Sequence, residues 1–190
     1  MKDLQLSKLK KLGIFNLAQA NELGISQQTL SVLVKQEKLK RISRGIYVHP
    51  DVPLDRDAGF KIACKKFGSK SAIGGLSALF YYNLIDQVPG QIWVVVPPEK
   101  NTSEKGYRLI RTRVSLDFGV DSYKDYRIVS IERAVIEGLK LATKIGERTA
   151  LSAARESLSK KSTSMKKLMN MAEKLELNNL LTKYFEAIIS

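Results

Sequence analysis

The most constraining feature of the sequence is a pair of short helical patterns separated by one glycine near the N-terminus. The first pattern covers residues 17–23 and follows Asn16, whose side chain suits an N-cap. Gly24 ends this pattern, and Ser26 is the N-cap candidate for a second helix over residues 27–36. Helices this short depend on tertiary packing, so the segment must fold as one compact unit.

The spacing of residues within this pair predicts a helix-turn-helix. Ala20 is the small residue needed where the two helices cross, and Gly24 suits the positive φ of the turn. Ile25, Leu30 and Leu33 are the apolar residues that would set the second helix at a steep angle to the first. An amphipathic helix over residues 3–12, ended by Gly13, is predicted to precede the pair.

The solvent face of the second helix carries side chains that can bond base edges and phosphates. These residues are Ser26, Gln27, Gln28, Thr29, Ser31 and Lys35. In DNA-binding helix-turn-helix proteins the second helix lies in the major groove. We expect Gln27 and Gln28 to read bases, since Gln bonds adenine in a bidentate manner, and Lys35 to contact phosphate.

Two short strands follow the second helix and predict a wing. They cover residues 38–41 and 45–49 and are joined at residues 43–45. The alternation predicts that Leu39, Ile46 and Val48 pack inward. The cations at the tip, where a wing meets the DNA backbone or the minor groove, are Lys40, Arg41 and Arg44.

The charge of the chain favours a polyanionic partner. The formal net charge is +13, and residues 1–50 contain nine Lys or Arg against three Asp or Glu. Lysine and arginine that neutralise phosphates release condensed counterions, which favours binding to nucleic acid. We therefore predict that residues 1–50 bind double-stranded DNA. A trihelical module that contacts another protein is the alternative.

The remainder of the chain predicts a second domain of a different kind. Residues 51–56 form the expected linker, and residues 57–190 the expected domain. The predicted strands cover residues 91–96, 107–114 and 125–129. The predicted helices cover residues 57–67, 75–82, 131–141, 146–157, 165–175 and 178–189. The fold class is therefore α+β: an N-terminal winged helix-turn-helix, then an α+β domain with a small sheet and a helical C-terminus.

The sequence contains no convincing catalytic constellation, so we expect a protein that is not an enzyme and needs no cofactor or metal. Cys64 and His49 are the only residues of their types, which argues against a zinc site or a nucleophile–base pair. The Gly74–Gly75 pair lacks the Lys and Ser or Thr of a phosphate loop. Glu99 and Lys100, after the predicted strand 91–96, have no clear second acid for a nuclease metal.

The single cysteine and the polar N-terminus predict a cytoplasmic protein. One thiol excludes an intramolecular disulfide, and residues 1–5 lack the apolar core of a signal peptide. No apolar run approaches the length of a membrane span, so no membrane partner is expected.

Three features of residues 13–50 are shared with a known family. They are Phe15 at the start of the motif, residues 23–26 (LGIS) and residues 39–47 (LKRISRGIY). With them, this segment resembles the N-terminal winged-helix domain of the AbiEi family, the antitoxins of bacterial AbiE (type IV) toxin–antitoxin and abortive-infection systems. In the second domain, three runs are similar to the family in order and spacing: residues 72–79, 92–97 and 128–134.

The resemblance implies two functions. The N-terminal domain would repress its own operon by binding operator repeats near the promoter. The C-terminal domain would counter a nucleotidyltransferase-like toxin, without a stable complex in the usual description of the family. The alternative is a winged-helix regulator whose second domain senses a ligand or oligomerises.

A basic patch in the second domain is the weaker candidate for the antitoxin function. Its members, around a predicted loop over residues 159–164, are Arg155, Lys160, Lys161, Lys166 and Lys167. A solvated connection between helices is the favoured interpretation, because exposed lysines are common. A second surface for DNA, tRNA or an acidic partner is the alternative.

Overall fold

The computed structural model describes residues 2–189 and divides the chain into two units, the first ending at Ser69 and the second beginning at Lys70. The N-terminal unit contains these elements: α1 (Lys2–Lys11), β1 (Ile14–Asn16), α2 (Leu17–Glu22), α3 (Gln27–Lys35), β2 (Lys40–Ser43), β3 (Ile46–Val48) and α4 (Ala58–Phe67). The predicted winged helix-turn-helix is confirmed as the order α2, α3, β2, β3.

Local hydrogen bonds fix where the two central helices begin. The Asn16 side chain accepts from the Gln19 backbone N–H at 3.0 Å, and the Gln19 side chain accepts in return from the Asn16 backbone N–H at 3.2 Å. This capping box satisfies two groups that a helix start otherwise leaves unpaired. Ser26 caps α3 by accepting from the Thr29 backbone N–H at 3.2 Å. Both predicted N-caps are confirmed.

A third strand that the sequence did not predict completes the wing sheet. β1 pairs with β3 antiparallel, so the order is β1-β3-β2 and β3 is central. β1 contains three residues, too few for an alternating pattern to reveal it. The β2–β3 register shifts between Arg41 and Ser43, where a bulge lies close to the turn.

Both faces of β3 are buried, against different partners. Tyr47 packs with Leu39 and Phe15 in the core of the helix-turn-helix, and the two aromatic rings stack with centroids 5.9 Å apart. Ile46 and Val48 belong to a second cluster on the opposite face. Leu39, Ile46 and Val48 are all buried, as predicted, but they do not share one inward face.

The second cluster joins α4 to the N-terminal unit. Ala58 and, more peripherally, Ile62 pack against the face of the wing sheet that carries Ile46 and Val48. The Asn16 side-chain amide also donates to the Lys65 carbonyl oxygen at 3.3 Å. The predicted linker at residues 51–56 therefore lies inside this unit, and the division of the chain falls after α4 because α4 covers an apolar sheet face.

The C-terminal unit contains a mixed sheet and a series of helices. Its elements are β4 (Ala72–Ile73), α5 (Gly75–Tyr81), β5 (Ile92–Val96), β6 (Tyr107–Arg111), β7 (Val120–Ser122), β8 (Arg127–Val129), α6 (Ile131–Lys140), α7 (Ala142–Ile145), α8 (Glu147–Ser159), α9 (Met165–Lys174) and α10 (Asn178–Ile189). The strand order is β6-β5-β4-β8-β7. The α+β prediction is confirmed, and β4, β7 and α7 are additions to it.

The Gly74–Gly75 pair allows α5 to approach the sheet closely. A Cβ atom on Gly74 would lie 2.4 Å from Val95 Cγ2, and one on Gly75 would lie 2.5 Å from Trp93 Cε3. Gly75 also has a φ of +51°, which disfavours other residues. The two glycines therefore have a packing role, as expected from the mismatch with a phosphate loop.

A buried ion pair anchors a loop of the C-terminal unit to α6. Arg133 is fully buried, and its Nε donates to Glu137 Oε1 at 2.8 Å. Its Nη1 donates to the Ser115 and Phe118 carbonyl oxygens at 2.8 and 2.9 Å. Burial raises the pKa of the Glu137 carboxyl, and the guanidinium offsets only part of that rise. The pair is thus costly to bury and more costly to break.

This anchor generates a double-mutant prediction. Arg133→Met should lower the free energy of unfolding by about 3–5 kcal/mol, because it leaves the Glu137 carboxylate buried without its partner. Adding Glu137→Leu should restore part of the loss, and only part, since the Ser115 and Phe118 carbonyls stay unpaired. Urea denaturation measures both effects.

The matched control is Arg148→Met, because Arg148 is exposed on α8. It should change the free energy of unfolding by no more than about 0.5 kcal/mol. The single variant Glu137→Leu completes the cycle. A double variant whose loss equals the summed losses of Arg133→Met and Glu137→Leu would show that Arg133 and Glu137 are not coupled.

Candidate nucleic-acid interface

The turn between α2 and α3 sets the angle of the second helix. Ala20 is fully buried, and its carbonyl oxygen accepts from the Leu23 and Ile25 backbone N–H groups, both at 3.0 Å. Gly24 has a φ of +73°, the left-handed conformation that the sequence predicted for this position. Ile25 is 1% exposed and packs in the core with Leu30.

The hydroxyl groups predicted as DNA contacts are engaged in the structure of α3 itself. Ser26 Oγ caps the helix and lies 3.1 Å from Thr29 Oγ1. Ser31 Oγ donates to the Gln27 carbonyl oxygen at 2.9 Å. These oxygens keep lone pairs that can accept a hydrogen bond, but Ser31 has already used its proton. Their first role is therefore to shape and hold the helix.

The residues of α3 that point most directly away from the core are Gln28, Val32 and Lys35. At 100° per residue they lie about 165°, 155° and 145° around the helix from the centre of the buried stripe. That stripe consists of Leu30, Leu33 and the partly buried Val34. All three outward residues are exposed, Val32 by 46%. We define Gln28, Val32 and Lys35 as the outward face of α3.

Two of these residues were predicted from the sequence and one was not. Gln28 and Lys35 were expected because their chemistry suits DNA, whereas Val32 is apolar and did not match that expectation. The signal that identifies it is the period of the helix. Val32 is two residues from Leu30 and therefore cannot share its buried face. Gln27, in contrast, is exposed but lies nearer the flank of the buried stripe.

The wing cations are all exposed, but they do not all lie at the tip. Lys40 begins β2 opposite Val48, at the end away from the turn, so the prediction that places Lys40 at the tip is wrong. Lys40 and Arg41 lie on the edge strand β2, and Arg44 lies in the turn before Gly45, whose φ is +76°. Arg41 Nε donates to the Ser43 carbonyl oxygen at 3.4 Å, across the bulge. Within residues 2–189, Lys35, Lys40, Arg41 and Arg44 form no ion pair with a carboxylate.

Short backbone contacts hold the wing against the helices. The Leu33 carbonyl oxygen, in α3, accepts from the Lys38 and Leu39 backbone N–H groups at 2.9 and 3.3 Å. The Leu17 backbone N–H, at the start of α2, donates to the Gly45 carbonyl oxygen at 3.1 Å. The outward face of α3 and the cationic wing are therefore displayed by one rigid unit.

The basic patch predicted in the C-terminal unit is only partly available to a ligand. Arg155 Nε donates to the Ala187 carbonyl oxygen at 2.7 Å, which ties α8 to α10. Lys160 Nζ donates to the Asn83 carbonyl oxygen at 2.8 Å and pairs with Glu156 at 2.9 Å. The other members, all exposed, are Lys161, Lys166 and Lys167. Two of the five predicted cations thus have structural contacts.

The C-terminal unit also contains a cavity of about 300 Å³ beside the edge strand β6. Its wall includes Trp93, with the Arg108 guanidinium 4.8 Å from the ring centroid. The other charged residues of the wall are Arg111, Glu137, Lys140 and Lys144. The cavity combines an aromatic ring, apolar side chains and a cationic rim.

Few side chains in the described part of the chain are arranged for metal binding or catalysis. No cluster of three or more His, Cys, Asp or Glu side chains with metal-binding geometry occurs in this part of the chain. Of the two residues considered for a nuclease centre and not favoured, Glu99 is exposed, and the Lys100 carbonyl oxygen accepts from Arg111 Nε at 2.9 Å. His49 Nδ1 accepts from the Asp51 backbone N–H at 3.2 Å.

Comparison with known proteins gives a family match for the N-terminal residues and a similar fold for most of the chain. Residues 4–50 match a family model described as "Transcriptional regulator, AbiEi antitoxin". The fold is similar to that of the crystal structure of the RV2827C protein from Mycobacterium tuberculosis, with a TM-score of 0.59, 11% sequence identity, and coverage of 92% of this chain and 75% of the other. No curated protein matches the chain significantly.

The matched residues contain α3 and both strands of the wing. Of the helices described, none is long and apolar enough to span a membrane. Over residues 4–50 the chain matches the AbiEi antitoxin transcriptional regulators, the family that its sequence resembles.

Proposed function

We propose that this protein is the antitoxin of a bacterial toxin–antitoxin or abortive-infection system and that it represses its own operon by binding promoter DNA. The observation that carries the DNA-binding half is the arrangement of the N-terminal unit. A capped recognition helix displays an amide and a lysine on its outward face, and three cations without carboxylate partners extend from the wing beside it.

The binding mode follows from the side chains on each element. With α3 in the major groove, Gln28 faces base edges and Lys35, at the helix C-terminus, faces phosphate. Lys40, Arg41 and Arg44 would contact the backbone or minor groove next to the wing. Operator repeats would present the same contacts to more than one copy of the protein, as two-fold operators do for helix-turn-helix dimers.

The family match supports the antitoxin half of the proposal. We propose that the toxin is a nucleotidyltransferase-like protein encoded next to this gene. The exposed lysines of the C-terminal patch are the candidate surface for that function, acting without a stable complex. No enzymatic step is required of this chain in the proposal. The cytoplasm is the compartment in which both the promoter and such a toxin would be found.

A ligand-responsive regulator is the second candidate, and the cavity beside β6 is the observation that favours it. Its cationic rim suits an anionic small molecule that bears an apolar or aromatic group. The two candidates differ in their genetic context. An adjacent toxin gene whose product this protein neutralises supports the antitoxin, whereas ligand-dependent release of promoter DNA without such a gene supports the regulator.

The first experiment is a salt titration of binding to the protein's own upstream DNA and to a random duplex of equal length. A preference for the upstream DNA that persists as salt rises supports operator recognition. Equal and steeply salt-dependent binding to both duplexes would instead mean that the +13 charge acts nonspecifically.

The wing generates a prediction about how the affinity for DNA depends on salt concentration. Arg44→Ala should weaken binding to the upstream and random duplexes alike, and should lower the slope of log affinity against log salt by about one. The matched control is Arg56→Ala, because Arg56 is 83% exposed in the same unit but lies outside α3 and the wing. An unchanged slope in Arg44→Ala would remove the wing from the interface.

Gln28 generates a prediction about sequence preference. Gln28→Ala should relax the preference at one base pair, at a cost of roughly 1–3 kcal/mol for the preferred base, and leave affinity for the random duplex nearly unchanged. Competition with duplexes altered at single positions measures this effect. Gln87→Ala, at an exposed position in the C-terminal unit, is the control and should leave every position as specific as before.

The C-terminal patch generates a prediction about antitoxicity. The double variant Lys166→Ala, Lys167→Ala should reduce the rescue of cell growth when the toxin is induced, while the affinity of the protein for promoter DNA stays the same. Two exposed charge contacts at roughly 0.7 kcal/mol each correspond to about tenfold in affinity for whatever the patch binds. Lys105→Ala with Lys124→Ala is the control, since both lysines are exposed in the same unit. Full rescue by the first pair would show that the patch is a solvated surface.

A further inference from the structure

The stability of the N-terminal unit does not explain why residue 32 is a valine. The other apolar residues of α3 pack in the core, whereas Val32 is 46% exposed and outside the cluster. A β-branched residue is also a weaker helix former than Ala, Leu, Lys or Gln, so Val32 does not favour a nine-residue helix. Single exposed apolar residues are common, and exposure alone would therefore mean little.

The position of Val32 on α3 indicates why an apolar side chain is exposed there. It lies one turn after Gln28 and three residues before Lys35, in the middle of the outward face of α3. Side chains four residues apart on a helix have Cβ atoms about 6 Å apart. An apolar group at the centre of a face that enters the major groove meets base edges rather than phosphates. The apolar group that those edges offer is the C5 methyl of thymine.

We propose that Val32 is a specificity-determining residue that contacts the C5 methyl group of a thymine in the operator. This inference rests on the proposed function, because it requires α3 to lie in the major groove. It adds one base of the operator, a thymine, to that proposed function. Since bases rise 3.4 Å per step along each strand, a spacing of about 6 Å places this thymine within about two base pairs of the adenine read by Gln28.

The test uses deoxyuridine, which pairs like thymine but lacks the methyl group. Each thymine of the preferred duplex is replaced singly by deoxyuridine, and the affinity of the full chain is measured. One replacement should weaken binding about fourfold, the effect of burying one methyl group. With Val32→Ala, which removes the two γ-methyl groups and keeps only Cβ, the deoxyuridine penalty should fall clearly below fourfold. Val32→Thr keeps one branched methyl and should retain part of the discrimination.

The matched control is Val88→Ala, because Val88 is 71% exposed and lies in the C-terminal unit. It should show the same deoxyuridine penalty as the natural chain. A penalty that persists undiminished in Val32→Ala would overturn the proposal, and so would a preferred duplex in which no thymine methyl contributes. In the second case, operator recognition by α3 stands if Gln28→Ala relaxes the sequence preference at one base pair. Absence of any sequence preference would overturn the operator function and the assignment of Val32 together.

Discussion

The N-terminal unit depends on a strand whose two faces are both buried. Tyr47 of β3 stacks on Phe15 within the helix-turn-helix core, while Ile46 and Val48 pack toward α4. The strand thereby joins two small clusters that neither helices nor wing could form alone. Because β2 pairs with this strand, the cationic strand of the wing has a fixed position relative to α3.

The division of roles among the polar residues of α3 follows from the same need for rigidity. Hydroxyl side chains are short and bond the nearby backbone, so Ser26 and Ser31 stabilise the helix that displays them. Gln28 and Lys35 reach beyond the backbone and are exposed. A face built in this way presents an amide, a branched apolar group and a cation on a helix backbone that is ordered before binding, so the ordering cost falls on the side chains alone.

The C-terminal unit relies on a different set of constraints. Gly74 and Gly75 allow α5 to lie directly on Val95 and Trp93, where any side chain would collide. Arg133 links α6 to two carbonyl oxygens of a loop while facing Glu137 within its own helix. These features set the sheet and helices that surround the β6 cavity, and they give the Gly74–Gly75 pair and Arg133 packing roles.

Features that depend on contacts within a few residues could be predicted from the sequence. Asn16 and Ser26 as N-caps, and Gly24 in a left-handed conformation, are fixed by bonds and sterics that span at most four positions. These local signals were sufficient to predict the helix-turn-helix and the wing. Gln28 and Lys35 could be assigned to the solvent face because the helical period and their chemistry agree.

Which surfaces those elements cover depends on long-range packing and could not be predicted from local patterns. β1 becomes a strand because β3 offers it a partner, and α4 joins the N-terminal unit because it buries Ile46 and Val48. Tyr47 packs in the helix-turn-helix core while its neighbours Ile46 and Val48 pack toward α4, a division that their residue types do not reveal. Pairing and burial depend on contacts between residues far apart in the chain, and local patterns of polarity leave more than one such arrangement open.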